Sequence, residues 1–107
     1  MIKGIGIDVV EISRIRKSLS FKGFKKSTFT ENEIKNVHGE ECEYYATRFA
    51  CKEAVFKALQ KEMDWRKIET LNREDGSPYV NIEGEGKIHI SISTDAGMAV
   101  AFCVIEE

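Results

Sequence analysis

The opening strand constrains the fold more than any other stretch of this chain. Residues 2 to 9 place Ile5, Ile7 and Val9 on one side of a two-residue repeat and Gly4, Gly6 and Asp8 on the other, the period of a half-buried extended strand. A face carrying two glycines has almost no side-chain bulk, so a partner element has room to approach its backbone closely. Asp8 lies late on that same face, a carboxylate where close packing is expected.

The punctuation of the remaining chain is legible. Ile12, Ile15 and Leu19 recur at helical spacing, which predicts a short helix over residues 11 to 19 with its basic residues turned outward. Thr30-Glu31-Asn32-Glu33 has the form of a capping box, Thr30 accepting from the amide three residues on while Glu33 reaches back. It opens a brief helix expected to stop near Gly39. A longer helix is predicted over residues 41 to 61. Asp75-Gly76-Ser77-Pro78, Gly84-Glu85-Gly86 and Thr94-Asp95-Ala96-Gly97 mark turns between β-rich runs near 68–73, 79–83, 87–93 and 98–105. Strand, helices and then strands imply an α+β domain, its long helix packed on an antiparallel-rich sheet. The 107 residues fit one domain, 1–107, and a core this small makes oligomerisation a reasonable way to complete it.

Composition removes several classes. With 42% hydrophobic and 32% charged residues and a single proline, the chain is a folded protein and neither disordered nor collagenous. The longest uncharged stretch, Ala96 to Ile105, is about half of what a membrane helix needs, and the amino terminus has no signal-peptide pattern; a cytosolic, cytoplasmic location without membrane insertion is expected. Cys42, Cys51 and Cys103 are odd in number with no Cys-x-x-Cys pair, against a disulfide framework or structural zinc. His38 and His89 lack a second histidine at ligand spacing.

The net charge of −2 hides an asymmetry. Residues 14 to 26 carry Arg14, Arg16, Lys17, Lys22, Lys25 and Lys26 with no carboxylate, so that segment is +6 and the rest of the chain −8. Such a stripe is either solvated surface or a docking face for a polyanion, whether a nucleic acid, a membrane surface or an acidic protein. The lack of interleaved aromatics beyond Phe21 and Phe24, and the acidic remainder, count against nucleic acid.

A second carboxylate stands out on the long helix. Tyr45, Ala46, Phe49 and Phe56 share an apolar arc, and Glu53 projects from it. An isolated buried charge is costly, so Glu53 is either bridged to Lys57 at i,i+4 or turned toward a metal ion. Asp8 and Glu53 offer oxygen without a nearby His or Cys. That suits a hard divalent cation such as Mg²⁺, which takes one or two carboxylates and completes its shell with water and substrate phosphate. Arg48, Lys52 and Lys57 on the same helix are surface charge, or they hold the oxygens of a nucleotide or pyrophosphate.

Taken in order, four segments form a pattern: Gly4-Ile5-Gly6-Ile7-Asp8-Val9-Val10-Glu11-Ile12-x-Arg14-Ile15, Arg48-Phe49-Ala50-x-Lys52-Glu53-Ala54-x-x-Lys57-Ala58, Asp75-Gly76-x-Pro78 and His89-Ile90-Ser91-Ile92-Ser93. The pattern closely resembles the holo-acyl-carrier-protein synthase family of 4′-phosphopantetheinyl transferases, over nearly the whole chain. The resemblance implies the 4′-phosphopantetheinyl transferase fold and transfer of 4′-phosphopantetheine from coenzyme A to a serine of acyl carrier protein. Adenosine 3′,5′-bisphosphate is released, Mg²⁺ sits on the coenzyme A pyrophosphate, and fatty acid biosynthesis depends on the product. Carried over residue by residue, Asp8 and Glu53 hold the metal, Lys57 lies near the reacting phosphate, and Arg48 and Lys52 frame the nucleotide. A homotrimer with active sites between neighbouring subunits is implied, as is docking of the acidic carrier through Arg14, with Arg16 and Lys17 beside it. No residue is required as a covalent nucleophile, and Cys51, on the helix side away from Glu53, is read as packing.

Three departures are visible. Many family members have a Gly-Thr-Gly loop after the long helix, where this chain has Gln60-Lys61-Glu62; many have His after the Ser-x-Ser strand, where this chain has Thr94; and many insert a helix where this chain has Gly84-Glu85-Gly86. Thr94 cannot act as a base near neutral pH, which leaves any such role to a metal-held water or a carboxylate. These departures keep a rival open, a weak or inactive family member that binds carrier or coenzyme A as an adaptor. A nucleic-acid module built on residues 14 to 26 is a more distant one.

Overall fold

The glycine face of the first strand is filled by the long helix. In the computed structural model, which describes residues 1–107, strand β1 (Ile2–Glu11) is followed by helices α1 (Ile12–Leu19), α2 (Phe24–Thr28), α3 (Glu31–Lys35) and α4 (Glu41–Leu59). A 3₁₀ turn at Trp65–Lys67 then leads to strands β2 (Glu69–Asn72), β3 (Pro78–Asn81), β4 (Lys87–Asp95) and β5 (Met98–Glu106). The strands form an antiparallel sheet in the order β1-β5-β4 and a separate antiparallel β2-β3 pair. This is the α+β arrangement expected, a long helix on an antiparallel sheet.

The contact between β1 and α4 has no space for side chains. A Cβ added at Gly4 would lie 2.0 Å from the Ala58 carbonyl oxygen, and one at Gly6 would lie 2.0 Å from that of Ala54. Both obstacles are backbone and cannot rotate away. Gly6→Ala must therefore push the helix off the strand, and a loss of about 1–3 kcal/mol in chemical denaturation is expected, the range for overpacked cores. A variant as stable as the native chain would mean that α4 does not rest on this strand.

Ala99, Ala101, Cys103 and Ile105 of β5 complete the inner face of the sheet, all buried. The arc of α4 is wider than its spacing suggests. Tyr45, Ala46 and Phe56 are buried as expected, but so are Cys51, Lys52 and Arg48, because β2 and α1 also pack on this helix. α3 stops at Lys35 rather than near Gly39, α4 stops at Leu59, and the short α2 has no counterpart among the predicted elements. Gln60 takes the left-handed conformation, φ 58°, that ends α4.

The other face of the sheet is bare. Ile5, Ile7 and Val9 stand with Phe102 as exposed side chains, and Ile7 lies directly opposite Phe102 across the β1-β5 ladder. The glycine face, and not the isoleucine face, is the buried one. No helix is long and apolar enough to cross a membrane.

Candidate active site

Asp8 and Glu53 approach each other where β1 passes under α4. Asp8 points from the glycine face, opposite Ala101 in the ladder, and Lys57 reaches it from the helix: its Nζ donates to the Ile7 carbonyl at 2.9 Å and lies 3.2 Å from Asp8 Oδ1. Glu53 sits one helical turn before Lys57, half-buried. Burial raises its pKa above the ordinary carboxylate range, the negative charge of Asp8 raises it further, and Lys57 opposes both only in part. Glu62, just past the end of α4, adds to the upward shift.

The sequence leaves two readings of Glu53, a bridge to Lys57 or a metal ligand. In the structure the Lys57 ammonium sits on Asp8, and no cation lies within salt-bridge distance of Glu53. One lysine thus stands beside two carboxylates, paired with Asp8 and leaving Glu53 without an ion-pair partner in the chain. The donor set is oxygen only, and nowhere does the chain gather three or more His, Cys, Asp or Glu residues in metal-binding proximity. Asp8 and Glu53 fit a hard cation that takes two carboxylates and draws its remaining ligands from water and phosphate.

Lys52, expected beside the nucleotide, is elsewhere. Its side chain is fully buried, with Nζ 2.8 Å from Glu33 Oε1 and donating to the carbonyls of Trp65, at 3.0 Å, and Ile68. Loss of water pulls its pKa down, and Glu33 opposes that. With those partners its ammonium has no hydrogen left for a phosphate, so the assignment to cofactor binding is corrected to a core role. The capping box forms as predicted, Glu33 N donating to Thr30 Oγ1 at 3.1 Å and Thr30 N to Glu33 Oε1 at 2.9 Å. Glu33 also does more than cap, since Oε2 accepts from Thr70 N at 2.8 Å, and this long-range role is not evident from the capping motif. A signal for the burial of Lys52 is present in the sequence: it follows Tyr45 at i+7 and precedes Phe56 at i+4, on the same strip as the core aromatics.

Arg48 is also buried, with its hydrogen-bonding only partly satisfied. Its guanidinium lies 4.1 Å from the Tyr44 ring centroid and donates to Thr47 Oγ1, at 2.9 Å, and to Asn72 Oδ1. Its Nε has no partner, and the residue borders a cavity of about 230 Å³ together with His38, Glu43, Tyr44 and Thr47. Thr94, near the end of β4, donates to Glu43 Oε1 at 2.9 Å.

Two of the three segments that depart from the family pattern meet. Glu85, in the Gly84-Glu85-Gly86 turn, accepts from Lys3 at 3.1 Å and from Lys61 at 3.2 Å, and these bonds hold its carboxyl below the usual range. Cys51 is fully buried and burial pushes its thiol up to about 12, so it carries no thiolate near neutral pH. His89 bonds Glu106 at 2.6 Å on the exposed side of β4. Arg14 and Lys17 are exposed without a carboxylate partner, while Arg16 lies 3.4 Å from Glu40.

Comparison with known proteins points one way. Residues 4–103 match the model of the 4′-phosphopantetheinyl transferase superfamily. A holo-[acyl-carrier-protein] synthase of Thermodesulfovibrio yellowstonii is 46% identical over 98% of this chain and 99% of its own. Among solved structures, the holo-(acyl-carrier-protein) synthase of Bacillus anthracis in complex with CoA (3′,5′-ADP) superposes with a TM-score of 0.88 at 39% identity, covering 98% of this chain and 96% of that one. The Helicobacter pylori holo-[acyl-carrier-protein] synthase in complex with coenzyme A gives 0.85 at 30% identity, over 95% and 99%.

Proposed function

Since this chain belongs to the 4′-phosphopantetheinyl transferase superfamily, we propose that it is a holo-acyl-carrier-protein synthase, transferring 4′-phosphopantetheine from coenzyme A to a serine of apo-acyl carrier protein. The observation that carries the reading is Glu53, a half-buried carboxylate with no cation of its own, facing the negative charge of Asp8. Such a pair is relieved by a proton on Glu53 or by a cation from outside the chain, and the metal-free pair is therefore a site that a divalent cation stabilises.

Asp8 and Glu53 are the residues that hold Mg²⁺, which when bound supplies positive charge to the pyrophosphate oxygens of coenzyme A. Lys57 stands on the same spot with its ammonium fixed by the Ile7 carbonyl, placed to stabilise charge on the phosphoryl oxygens. The serine oxygen forms the new P–O ester bond as the bond to the adenosine 3′,5′-bisphosphate leaving group breaks, and the serine proton departs to water or a carboxylate. Phosphoryl transfer of this kind needs position and charge more than covalent protein chemistry, in keeping with an inert Cys51. Arg48 keeps its place as a nucleotide contact because it borders the cavity beside His38 and Glu43. Arg14, Arg16 and Lys17 form the carrier-docking face.

The 107 residues act as one domain in the cytoplasm, assembled as a homotrimer with active sites at the subunit boundaries. The support is the exposed Ile5, Ile7, Val9 and Phe102 face, an apolar patch of the kind that marks an interface. Light scattering should return three times the chain mass, and a fully active monomer would sink the shared-site reading. The decisive assay incubates apo-carrier, coenzyme A and Mg²⁺ and follows the carrier by mass spectrometry. A phosphopantetheine adduct on the serine that disappears with a chelator is expected. Carrier that binds without gaining mass would mark an adaptor instead.

A further inference from the structure

The cavity bordered by Arg48 carries more carboxylate than cation. About 230 Å³ in volume, it is lined by His38, Glu40, Glu43, Tyr44, Thr47 and Arg48. Arg48 is its one permanent cation. The guanidinium donates to neutral oxygens, Thr47 Oγ1 and Asn72 Oδ1, and makes no ion pair. Two carboxylates share the lining. Glu40, just before α4, accepts from Cys42 N through Oε2 while Oε1 lies 3.4 Å from Arg16. Glu43, in the first turn of α4, accepts from Thr94 Oγ1 at 2.9 Å and pairs with no cation. With histidine neutral, one positive charge faces two negative ones, and counting Arg16 beside Glu40 only brings the balance to zero. The other cations of the helix are committed elsewhere, Lys52 to Glu33 in the core and Lys57 to Asp8.

Coenzyme A carries its negative charge in two places, the pyrophosphate and a separate phosphate monoester on the ribose 3′ oxygen. Such a monoester bears about −1.5 to −2 at neutral pH. The ribose belongs to the same nucleotide that Arg48 contacts, so in a cavity this small the monoester meets Glu40 and Glu43 at less than the Debye length, about 8 Å at physiological ionic strength. Its attraction to the guanidinium is cancelled by repulsion from the two carboxylates. Adenine and ribose ask for less charge and find suitable partners. The rings of His38 and Tyr44 meet edge to face at 5.2 Å, and the carboxylates are acceptors for hydroxyl and amino hydrogens.

We propose that this chain has a further activity, the transfer of 4′-phosphopantetheine from coenzyme A that lacks its 3′-phosphate, because the cavity at Arg48 gives that phosphate no net attraction. This rests on the transferase reading given above and on Arg48 as its nucleotide contact. The serine oxygen forms its ester bond to the phosphorus that carries pantetheine, the bond from that phosphorus to the bridging oxygen breaks, and adenosine 5′-monophosphate leaves with the electron pair. The serine proton departs to water or a carboxylate. Only a substituent remote from the reacting bond differs, so one site serves both donors.

The test gives native chain apo-carrier, Mg²⁺ and either coenzyme A or 3′-dephospho-coenzyme A, at about pH 8, where an ordinary histidine is neutral. Carrier mass and the released nucleotide are both followed. The two donors should produce the same mass gain, with adenosine 5′-monophosphate as the by-product of the second, and their kcat/KM values should agree within about threefold. Glu43→Gln keeps an acceptor for Thr94 and loses the charge. It should lower the KM for coenzyme A about fivefold, the effect of one unit charge at contact distance in water, and move that for the dephospho donor by less than about twofold. A purely structural role for Glu43 would shift both values together, and that result overturns the proposal. So does a preference of the native chain for coenzyme A of more than about 30-fold, which would mean that cations from outside this cavity hold the 3′-phosphate. Carrier that gains no mass even with coenzyme A removes the transferase reading itself, a result read on native chain before the donors are compared.

Discussion

Asp8→Ala and Glu53→Ala are each expected to lower transfer by more than about 100-fold, since even the outer-shell partners of a metal ligand cost about 10–100-fold. The folds should survive, because neither side chain belongs to the buried core. Glu53→Gln is the sharper variant, keeping volume and hydrogen-bonding capacity while losing charge. Its stability moves opposite to its activity. Burial and Asp8 raise the pKa of Glu53 in the folded chain, so the folded state favours the protonated acid. The unfolded carboxyl ionises near its ordinary value of 4.5; the favourable contribution is complete below that pH and is lost as pH climbs through the raised folded value. In the absence of divalent cation, Glu53→Gln should therefore melt above the native chain, and the gap should widen from about pH 4.5 to neutrality. Added Mg²⁺ should raise the melting temperature of the native chain and leave that of Glu53→Gln nearly fixed. Equal responses of the two chains to Mg²⁺, or near-native turnover by either alanine variant, would remove Glu53 and Asp8 from the metal site.

Lys52→Met is expected to cost about 3–5 kcal/mol, the usual penalty for removing one partner of a buried ion pair. Against a total stability of about 5–15 kcal/mol for a domain, that is a severe loss. The methionine replaces the aliphatic stem but strips Glu33 of its cation inside the protein, where its remaining partners are the Thr30 and Thr70 amides. The pair also ties α3 to α4, and through the Trp65 and Ile68 carbonyls to the segment leading into β2. Urea unfolding should show the loss as a lower midpoint at similar slope. The fraction that remains folded should keep the native KM for coenzyme A, because the Nζ contacts only protein groups. A raised KM with unaltered stability would return Lys52 to the phosphate site.

Some of the architecture is legible because it depends on neighbours in sequence. The capping box at Thr30 and Glu33 closes within one turn of backbone, and the Ala96-Gly97 turn joins β4 to β5 by local chemistry, so both follow from residue type and spacing. Gly4 and Gly6 announce a close approach for the same reason, since the absence of a Cβ is a property of the residue and not of its surroundings. The tandem motifs through Asp8 and Glu53 likewise carry the family.

What lies inside depends on elements far apart in the chain. Periodicity separates the Ile5, Ile7 and Val9 face from the glycine face but says nothing about which one another element will cover, and α4 rests on the glycines because only there can two backbones touch. Lys52 and Lys57 read alike in sequence, as long basic side chains one turn and a residue apart. A lysine stem suits either a core or a surface, and the outcome turns on whether a carboxylate arrives from elsewhere in a dry place or a wet one. Glu33 from α3 meets Lys52 away from water; Asp8 from β1 meets Lys57 in the open. The residues able to do the chemistry, and their order along the chain, are thus written in the amino acids themselves. Which of them face the substrate is a property of the assembled fold, because burial is the sum of contacts from every element that packs around a side chain.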